Sequence, residues 1–315
     1  MGYKTSDFPG IFSEKVGKPL EQSVSLRDYS NFRIGGRADF FFEATSVSEL
    51  RTSIFLAREQ SIPCYIIGGG YNLLFDDDGF RGLIIRNRVE GIRHKEKRGE
   101  IEVFSGTPLS DVLQFSVEEG LGGFEFLAGI PGTIGGAVFG NAGAFGRSIG
   151  EFLKEAEILD EKCERVKVKR DYFGFKYRHS FLKDKQNVFL VAIFELQEGE
   201  RERIKALIGE NLEKRKEKHP PLEVPCAGSF FKNPIVPDGR RVPAAFLLDK
   251  VGAKKLVVGG AAVYSGQVNF IINRGNASAR DVIQLAAELK ERVKKEYGID
   301  LEEEVIFLPA SSPSP

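Results

Sequence analysis

The segment from residue 121 to residue 150 constrains the fold of this 315-residue chain more than any other feature. Ten of its thirty residues are glycine, yet Phe, Leu, Ile and Val residues stand between them. Each glycine costs about 0.5–1 kcal/mol relative to alanine in regular structure, so this composition builds a poor core. It is also too apolar for a flexible linker. We therefore expect a backbone that lies against a flat, bulky ligand.

A second glycine-rich stretch, Gly68-Gly69-Gly70, follows an apolar run at 64–67 that predicts a buried strand. Consecutive glycines let successive backbone N–H groups point into one concavity that binds phosphate. The stretch lacks the Gly-Lys-Ser/Thr sequence that ends a P-loop and the G-x-G-x-x-G spacing of a Rossmann dinucleotide-binding turn. Taken alone, the stretch fits an ordinary tight turn as well as it fits a phosphate-binding loop. Together with segment 121–150, it indicates a flavin, with pyrophosphate at the first stretch and the isoalloxazine ring along the second.

Composition narrows the class of protein further. Lys+Arg and Asp+Glu both total 45, whereas a general binder of nucleic acid or of membrane surfaces needs a basic excess. The three cysteines are far apart, which suits a reducing compartment, and the three histidines are too scattered to predict a metal site. No stretch reaches the roughly 18 apolar residues of a membrane span. We expect a cytoplasmic monomer that binds no metal, nucleic acid or membrane.

Apolar periodicity, caps and turn residues predict a chain of mixed helices and strands. The expected helices are 46–60, 108–119, 202–218, 244–251 and 279–297. The expected strands are 39–43, 64–67, 82–85, 101–104, 166–168, 188–194, one near 261, 270–273 and 304–308. This order predicts the α+β class.

Six segments in chain order carry a resemblance to a known family. They are NFRIGG at 31–36, GGGYNLL at 68–74, AGIPGTIGGAVFGNAGA at 128–144, YRHS at 177–180, PCAGSFFKNP at 225–234 and LEEEV at 301–305. These segments resemble the UDP-N-acetylenolpyruvoylglucosamine reductases, flavoenzymes of peptidoglycan synthesis. The likeness runs from about residue 25 to residue 308. It implies that NADPH reduces non-covalently bound FAD, that flavin N5 then delivers hydride to C3 of UDP-N-acetylglucosamine-enolpyruvate, and that C2 is protonated to give UDP-N-acetylmuramate.

The resemblance also implies a domain organisation. Residues 28–200 are expected to form an FAD-binding domain of the vanillyl-alcohol-oxidase (PCMH) type, made of two α+β subdomains. A lead-in at 1–27 precedes it, and an α+β substrate-binding domain at 201–308 follows, with a tail at 309–315. The last strand is expected to return to the active site. The short connection from Ser180 to Val188 resembles the branch of the family that lacks an inserted substrate-covering loop.

Three catalytic residues follow from the resemblance. Hydride addition places negative charge on the substrate carboxylate, and the planar guanidinium of Arg178 matches that group. Ser229 is expected to donate a proton to C2, and Glu304 to stabilise the enol intermediate, which a raised pKa would favour. Without the resemblance, these residues would be a surface arginine, a turn serine and part of a solvated acidic run.

The same resemblance implies the binding residues. The expected cofactor contacts are Ile67, Gly68, Gly69, Gly70, Tyr71, Asn72, Leu73, Ala128, Gly129, Pro131, Gly132, Ile134, Gly135, Asn141 and Ala142. The expected substrate contacts are Tyr177, Arg178, Lys232, Asn233, Gln267 and Asn269. Departures from the family pattern occur at three positions, Tyr71, Cys226 and Gln267.

Two alternatives stay open at this point. The first is another FAD-dependent oxidase or dehydrogenase of the same fold, although such enzymes typically tether flavin through a histidine or cysteine that GGGYNLL lacks. The second is a catalytically silent binder of FAD or of a nucleotide sugar. The presence of Arg178, Ser229 and Glu304 argues against it.

Overall fold

The computed structural model describes residues 7–311, which form two sheet-based subdomains and a C-terminal domain. The α-helices are α1 (Phe8–Val16), α2 (Val47–Glu59), α3 (Leu109–Glu119), α4 (Ile134–Gly140), α5 (Arg201–Lys216), α6 (Ala244–Lys250) and α7 (Ala279–Tyr297). The strands are β1 (Glu21–Ser25), β2 (Arg37–Ala44), β3 (Cys64–Ile67), β4 (Leu73–Phe75), β5 (Phe80–Asn87), β6 (Ile92–His94), β7 (Glu100–Phe104), β8 (Leu121–Gly122), β9 (Gly143–Ala144), β10 (Arg147–Ser148), β11 (Leu153–Leu159), β12 (Arg165–Lys169), β13 (Val188–Glu195), β14 (Gln197–Glu198), β15 (Val257–Val258), β16 (Ala261–Val263), β17 (Ile271–Asn273) and β18 (Ile306–Leu308).

The first subdomain is a four-stranded sheet in the order β1-β2-β5-β3. Strands β2, β5 and β3 are parallel, and β1 adds an antiparallel edge. Helix α2 starts at the predicted cap, where Ser46 Oγ accepts a hydrogen bond from the Glu49 amide at 3.2 Å. Its apolar face packs on β2, β3 and β5. The carboxyl end of β3 then leads directly into the first glycine stretch.

The expectation of a loosely specified lead-in before Arg27 is wrong for residues 8–25, which form α1 and β1. Phe8 and Phe12 are fully buried, and their rings meet Phe40 and Phe42 edge-on at 5.2 and 5.0 Å. A proline and a glycine in the first turn hide the helical pattern in the sequence, although proline is well tolerated there because its missing N–H has no helical partner. Residues 1–6 of the lead-in and 312–315 of the tail lie outside the described residues.

Replacing Phe12 by leucine tests this placement of α1. We expect a loss of about 1–2 kcal/mol in the free energy of unfolding, because leucine leaves part of the ring volume empty and removes the edge-on contacts. Phe55→Leu is the matched control, since the Phe55 side chain on α2 is 49% exposed. Urea denaturation of both variants measures the difference. Equal stability of the two would contradict a buried α1.

The second subdomain is an antiparallel sheet in the order β12-β11-β13-β7-β6. The sequence did not predict its strand β11, although LKEAEIL alternates apolar and charged residues in part of its length. Phe124 packs edge-on against Phe152 and Phe194 at 5.3 and 5.2 Å in the core beneath this sheet. Helix α4 occupies 134–140, within the glycine-rich segment whose backbone was expected to lie against a ligand. Only part of that segment is therefore free to face a ligand.

Helix α5 packs on the second subdomain, although the sequence-based division assigned it to the C-terminal domain from residue 201. It contacts α3 and the turn at 125–127, and Asn211 Nδ2 donates to the Glu125 carbonyl at 2.9 Å. The chain then leaves this helix through His219-Pro220-Pro221, where proline disfavours helix continuation. We therefore propose to move the start of the C-terminal domain from 201 to about 220.

The C-terminal domain packs α6 and the long amphipathic helix α7 against the antiparallel sheet β15-β16-β17. Helix α7 has the predicted bounds, and Asp77 of the first subdomain accepts a hydrogen bond from the Ala279 amide at its N-terminus at 2.7 Å. Strand β18 runs back and pairs in parallel with β4, Ile306 opposite Leu73. The end of the chain thus lies beside the first glycine stretch. Among residues 7–311, no helix combines the length and apolar character that crossing a membrane requires.

Candidate active site

The two glycine-rich stretches lie side by side in the structure. A Cβ atom placed on Gly68 would lie 2.6 Å from Thr133 Oγ1, and one on Gly69 would lie 3.7 Å from Gly132 Cα. The Gly68 backbone therefore lies closer to the Thr133 side chain than a larger residue at position 68 would allow. Segments 68–72 and 129–135 form one continuous surface between the two subdomains.

The first stretch has the geometry of an anion-binding nest. No oxygen atom of residues 7–311 accepts a hydrogen bond from the amides of Gly69, Gly70 or Tyr71. Gly70 has φ +70°, and a Cβ there would lie 2.0 Å from the Tyr29 carbonyl oxygen. The Ser30 hydroxyl is buried nearby and also lacks a partner within the described chain. These unpaired donors fit the phosphate groups of a nucleotide cofactor.

A cleft of about 450 Å³ adjoins this nest. The Tyr71 ring lies over Gly69 and is 38% exposed at the cleft. The guanidinium of Arg86 lies 5.4 Å from the centre of the Tyr29 ring on the same wall. The remaining lining includes Arg27 and Arg33, so the cleft is both aromatic and basic. Its size and its charge suit the nucleotide part of a dinucleotide.

Replacing Gly70 by alanine should therefore remove cofactor binding. The Cβ would collide with the Tyr29 carbonyl, so the loop must shift and the three free amides would no longer converge. Gly146→Ala is the matched control, because Gly146 has φ +79° but nothing within 4 Å of a Cβ. Each variant carries the strain of a left-handed alanine, about 1 kcal/mol. FAD content after purification measures the result, and equal flavin content in both variants would contradict the nest.

The second stretch presents mainly backbone to the site. The side chains of Ala128 and Ile134 are buried in the second subdomain. Thr133 caps α4 by accepting from the Gly136 amide at 3.3 Å, and the Gly135 amide donates to the Ser105 carbonyl at 2.7 Å. The strip from Gly129 to Thr133 remains on the surface beside the first stretch. A flat ring system fits against such a strip.

Arg178 occupies the corner of a tight turn. Lys176 and His179 pair across it through two backbone hydrogen bonds of 3.0 and 3.2 Å, and Arg178 has φ +54°. Asn141, a predicted cofactor contact, supports the turn by donating to the Lys176 carbonyl at 2.9 Å. Its amide oxygen accepts from the Gly150 amide at 3.1 Å, so this side chain is already engaged. The turn is thus held rigidly against α4.

Arg178 and Glu304 form an ion pair at the centre of the site. Arg178 Nε lies 2.8 Å from Glu304 Oε1, and Arg178 Nη1 donates to the Gly143 carbonyl at 2.8 Å. The two side chains are 25% and 20% exposed. Burial raises the pKa of the Glu304 carboxyl above its ordinary value, and the charges of Arg178 and Lys183 only partly oppose this. Two of the three predicted catalytic residues are therefore in contact.

Ser229 lies on the segment that pairs with the backbone around Glu304. The Glu304 amide donates to the Phe230 carbonyl at 2.7 Å, and Asn72 Nδ2 donates to the Glu304 carbonyl at 3.1 Å. The side chain of Asn269 binds the Phe231 backbone twice. Its Oδ1 accepts from the Phe231 amide at 3.0 Å, and its Nδ2 donates to the Phe231 carbonyl at 2.9 Å. These bonds bring Ser229 and Glu304 together beside the first glycine stretch. They also engage the side chains of Asn72, predicted from the sequence to contact the cofactor, and of Asn269, predicted to contact the substrate.

The other predicted substrate residues surround this centre. The Asn233 amide donates to Tyr177 Oη at 3.3 Å, while Asn233 Oδ1 accepts from the Ala244 amide at 3.0 Å and caps α6. The ammonium of Lys232 lies 3.0 Å from Glu302 Oε2. Gln267 is partly buried in the turn between β16 and β17. Tyr177, Lys232 and Asn233 thus lie near the Arg178–Glu304 pair, and each is already engaged in protein contacts.

Sequence reasoning missed several charged residues beside the site. Lys183 Nζ donates to the Arg178 carbonyl at 3.0 Å, and Arg215 on α5 lies over the Phe145 ring at 5.6 Å. Burial next to Arg215 lowers the pKa of His219 to about 4. No spacing in the sequence distinguishes these residues from surface charges.

Cys226 is buried, and burial raises the pKa of its thiol, so it is an unreactive neighbour of the site.

Comparison with known families agrees with this geometry. A family model described as FAD binding domain matches residues 38–169, which cover both glycine-rich stretches. The fold and the loops therefore define an FAD-binding α+β protein of the predicted vanillyl-alcohol-oxidase type. A second model, described as UDP-N-acetylenolpyruvoylglucosamine reductase, C-terminal domain, matches residues 220–308.

Individual relatives extend this similarity over more than nine tenths of the chain. The UDP-N-acetylenolpyruvoylglucosamine reductase of Clostridium botulinum Eklund 17B is 36% identical over 287 residues, 91% of this chain and 92% of that protein. The Bacillus velezensis reductase is 37% identical, covering 92% and 94% of the two chains. The crystal structure of the Thermus caldophilus reductase superposes with TM-score 0.75 at 32% identity, over 92% and 99%. The chain belongs to the UDP-N-acetylenolpyruvoylglucosamine reductase family, as the sequence motifs predicted.

Proposed function

We propose that this protein reduces UDP-N-acetylglucosamine-enolpyruvate to UDP-N-acetylmuramate, with NADPH as hydride donor and non-covalently bound FAD as cofactor. The observation that carries the proposal is the contact between Arg178 and Glu304, with Ser229 held beside Glu304 at the meeting of the two glycine-rich stretches. Family membership supports the same reaction.

The described residues supply a fitting place for FAD. The free amides of 69–71 would hold the diphosphate, and the strip 129–133 would lie along the ring. When bound there, FAD would take a hydride from NADPH and pass it to C3 of the enolpyruvyl group. The side chains of Ile67, Leu73, Ala128 and Ile134 are buried, so any cofactor contact from these positions comes from the backbone.

Arg178 is the residue that would bind the substrate carboxylate. Nη1 donates to the Gly143 carbonyl, while Nε lies at ion-pair distance from Glu304 without a well-aligned hydrogen bond, so Nε and Nη2 have no hydrogen-bond partner among the described residues. A guanidinium fixed at two points needs no reorganisation when charge builds on the carboxylate. This pre-organisation lowers the energy of the enolate more than that of the substrate.

Ser229 and Glu304 would manage the proton. A hydroxyl is a weak acid, but an enolate carbon is basic enough to take its proton when the two are within hydrogen-bond reach. The raised pKa of Glu304 keeps a larger protonated fraction near an anionic substrate, where a bare carboxylate would repel it. We assign Glu304 the stabilisation of the enol form.

The flanking residues would bind the nucleotide part of the substrate. Lys232 and Tyr177 present a charge and a hydroxyl for the diphosphate and uridine, with Asn233 and Gln267 beside them. Asn269 is fully engaged with the Phe231 backbone, so we propose that it positions the segment of Ser229 rather than touching the sugar.

An anaerobic stopped-flow experiment tests the function. The purified protein receives NADPH first and the enolpyruvyl sugar second, while the visible absorbance of the flavin is followed. Bleaching followed by rapid recovery is the expected result. Bleaching without recovery would contradict the substrate, and a colourless protein that takes up no FAD would contradict the class.

A further inference from the structure

Lys183 lies in the site, although no step described above uses it. It ends the single helical turn at 181–183 that follows the Arg178 corner. Its Nζ donates to the Arg178 carbonyl at 3.0 Å and lies 5.6 Å from the centre of the Phe139 ring. The side chain is half-buried. A lysine in this position is close enough to act on Arg178 and too enclosed to be a solvated surface residue.

Within the described part of the chain, the ammonium of Lys183 has no carboxylate partner. Among residues 7–311, none lies within 4.0 Å of it, because Glu304 pairs with Arg178 and Asp184 pairs with His179 at 3.1 Å. Burial, reinforced by the positive charges of Lys232 and Arg178, lowers the pKa of Lys183. An enclosed cation without a counter-ion is unfavourable in the free protein. An anionic ligand in the site would relieve that cost.

The hydrogen bond of Lys183 acts on a backbone that needs support. Arg178 has φ +54°, which is unfavourable for any residue except glycine because Cβ approaches the backbone. The carbonyl that Lys183 binds belongs to this same residue. Loss of the bond would free the corner to relax and would turn the guanidinium away from Glu304.

We propose that Lys183 is a positioning residue for Arg178, holding its left-handed backbone so that the guanidinium faces Glu304 and the substrate carboxylate. The carboxylate part of this inference rests on the proposed function. The ammonium also adds a positive charge behind the guanidinium, so the same residue favours the anion that Arg178 binds.

Lys183→Met tests the proposal, since methionine keeps the apolar length and removes the donor and the charge. We expect flavin reoxidation by the enolpyruvyl sugar to slow about 10–100-fold, the range that misplacement of a binding group produces. Binding of the sugar to the oxidised protein should weaken in parallel. Reduction by NADPH should stay within about twofold of the wild type, because Arg178 is not needed for it.

Lys185→Met is the matched control. Lys185 lies two positions further on, exposed, with its ammonium over the Tyr172 ring at 4.6 Å. Lys183→Arg, which keeps the charge and a donor, should recover most of the rate. If Lys183→Met behaves like Lys185→Met, or slows both half-reactions equally, the proposal is wrong.

The pH profile tests the charge that Lys183 adds beside Arg178, since a neutral amine would still donate to the Arg178 carbonyl. Lys183 is faced by Arg178, Lys232, Glu304 and Asp184, and its lowered pKa places its loss of charge below that of an ordinary lysine. Reoxidation in the wild type should therefore decline on the alkaline side, and Lys183→Arg should move this decline to higher pH. An unchanged alkaline decline would count against the proposal.

A measurement on the resting protein makes the test independent of the substrate. In ¹⁵N-labelled protein, the Nε–H resonance of Arg178, assigned by its disappearance in Arg178→Lys, should shift in Lys183→Met and not in Lys185→Met. If the wild type fails to reduce the sugar but this shift occurs, the proposed function fails and the positioning role stands. An unshifted resonance overturns the positioning role even if the wild type is active.

Discussion

Replacing Arg178 by lysine lowers the rate of flavin reoxidation by the enolpyruvyl sugar about 10²–10³-fold, the usual loss when one pre-organised donor to a developing oxyanion is removed. Lysine keeps the charge but has one nitrogen, so it cannot bind Glu304, the Gly143 carbonyl and a substrate carboxylate at once. Reduction of the flavin by NADPH should stay within about twofold. Stopped-flow measurement of the two half-reactions gives both rates.

Arg147→Lys is the control for this experiment. Arg147 also pairs with a carboxylate through Nε, that of Glu151 at 2.6 Å, but it is 52% exposed and its guanidinium packs over the Phe152 ring, away from Glu304. It should leave both half-reactions unchanged. An equal fall of both rates in Arg178→Lys would indicate that the arginine supports the fold of the turn and not the reaction.

The sequence predicted most of the fold because the relevant signals are local. The cap at Ser46, the apolar run at 64–67 and the amphipathic pattern of 279–297 each depend on a few neighbouring residues, and each element is present. The failures have local causes as well. Helix α1 begins with a proline and a glycine, and β11 carries charged residues at several of its positions, so neither shows a strong pattern.

Candidate site residues could be named from the sequence, but the contacts between them could not. Arg178, Ser229 and Glu304 were identified from motifs, and the structure brings them into one region. The motifs do not reveal that Asn72 and Asn269 hold backbone groups. Such bonds join residues more than 35 positions apart, so they depend on how the domains meet.

The candidate site combines residues from the first subdomain with residues that precede strand β18. Strand β18 pairs with β4, which follows the first glycine stretch in the chain. This pairing places Glu304 next to that stretch. The Asn72 side chain ties the nest to the carbonyl of Glu304 at 3.1 Å. A shift of Asn72 would therefore act on the backbone of Glu304, whose carboxyl group we propose to be catalytic. This connection gives a physical reason for a C-terminal strand that returns to the first subdomain.

Glu304→Gln should separate catalysis from stability. Glutamine keeps the shape of the side chain but neither shares a proton with the enol form nor balances Arg178, so reoxidation by the enolpyruvyl sugar should slow about 10²-fold or more. Reduction by NADPH should be largely preserved. Glu303→Gln is the control, because the neighbouring Glu303 points away to Lys290 at 2.8 Å and is 41% exposed. Equal loss of both half-reactions would contradict the assignment.

The stability of Glu304→Gln should depend on pH in a defined direction. Burial raises the pKa of Glu304 in the folded protein above its ordinary value of 4.5, so the protonated form is the one that the fold favours. The stabilising contribution of Glu304 is therefore lost as pH rises from about 4.5 through the folded pKa, and the loss is constant above it. Glutamine has no proton to lose. The melting temperature of Glu304→Gln relative to the wild type should thus increase over this interval and then level off, while Glu303→Gln shows no such rise. A melting temperature difference that falls over the same interval would mean that the ion pair with Arg178 outweighs burial, and that Glu304 acts as a carboxylate.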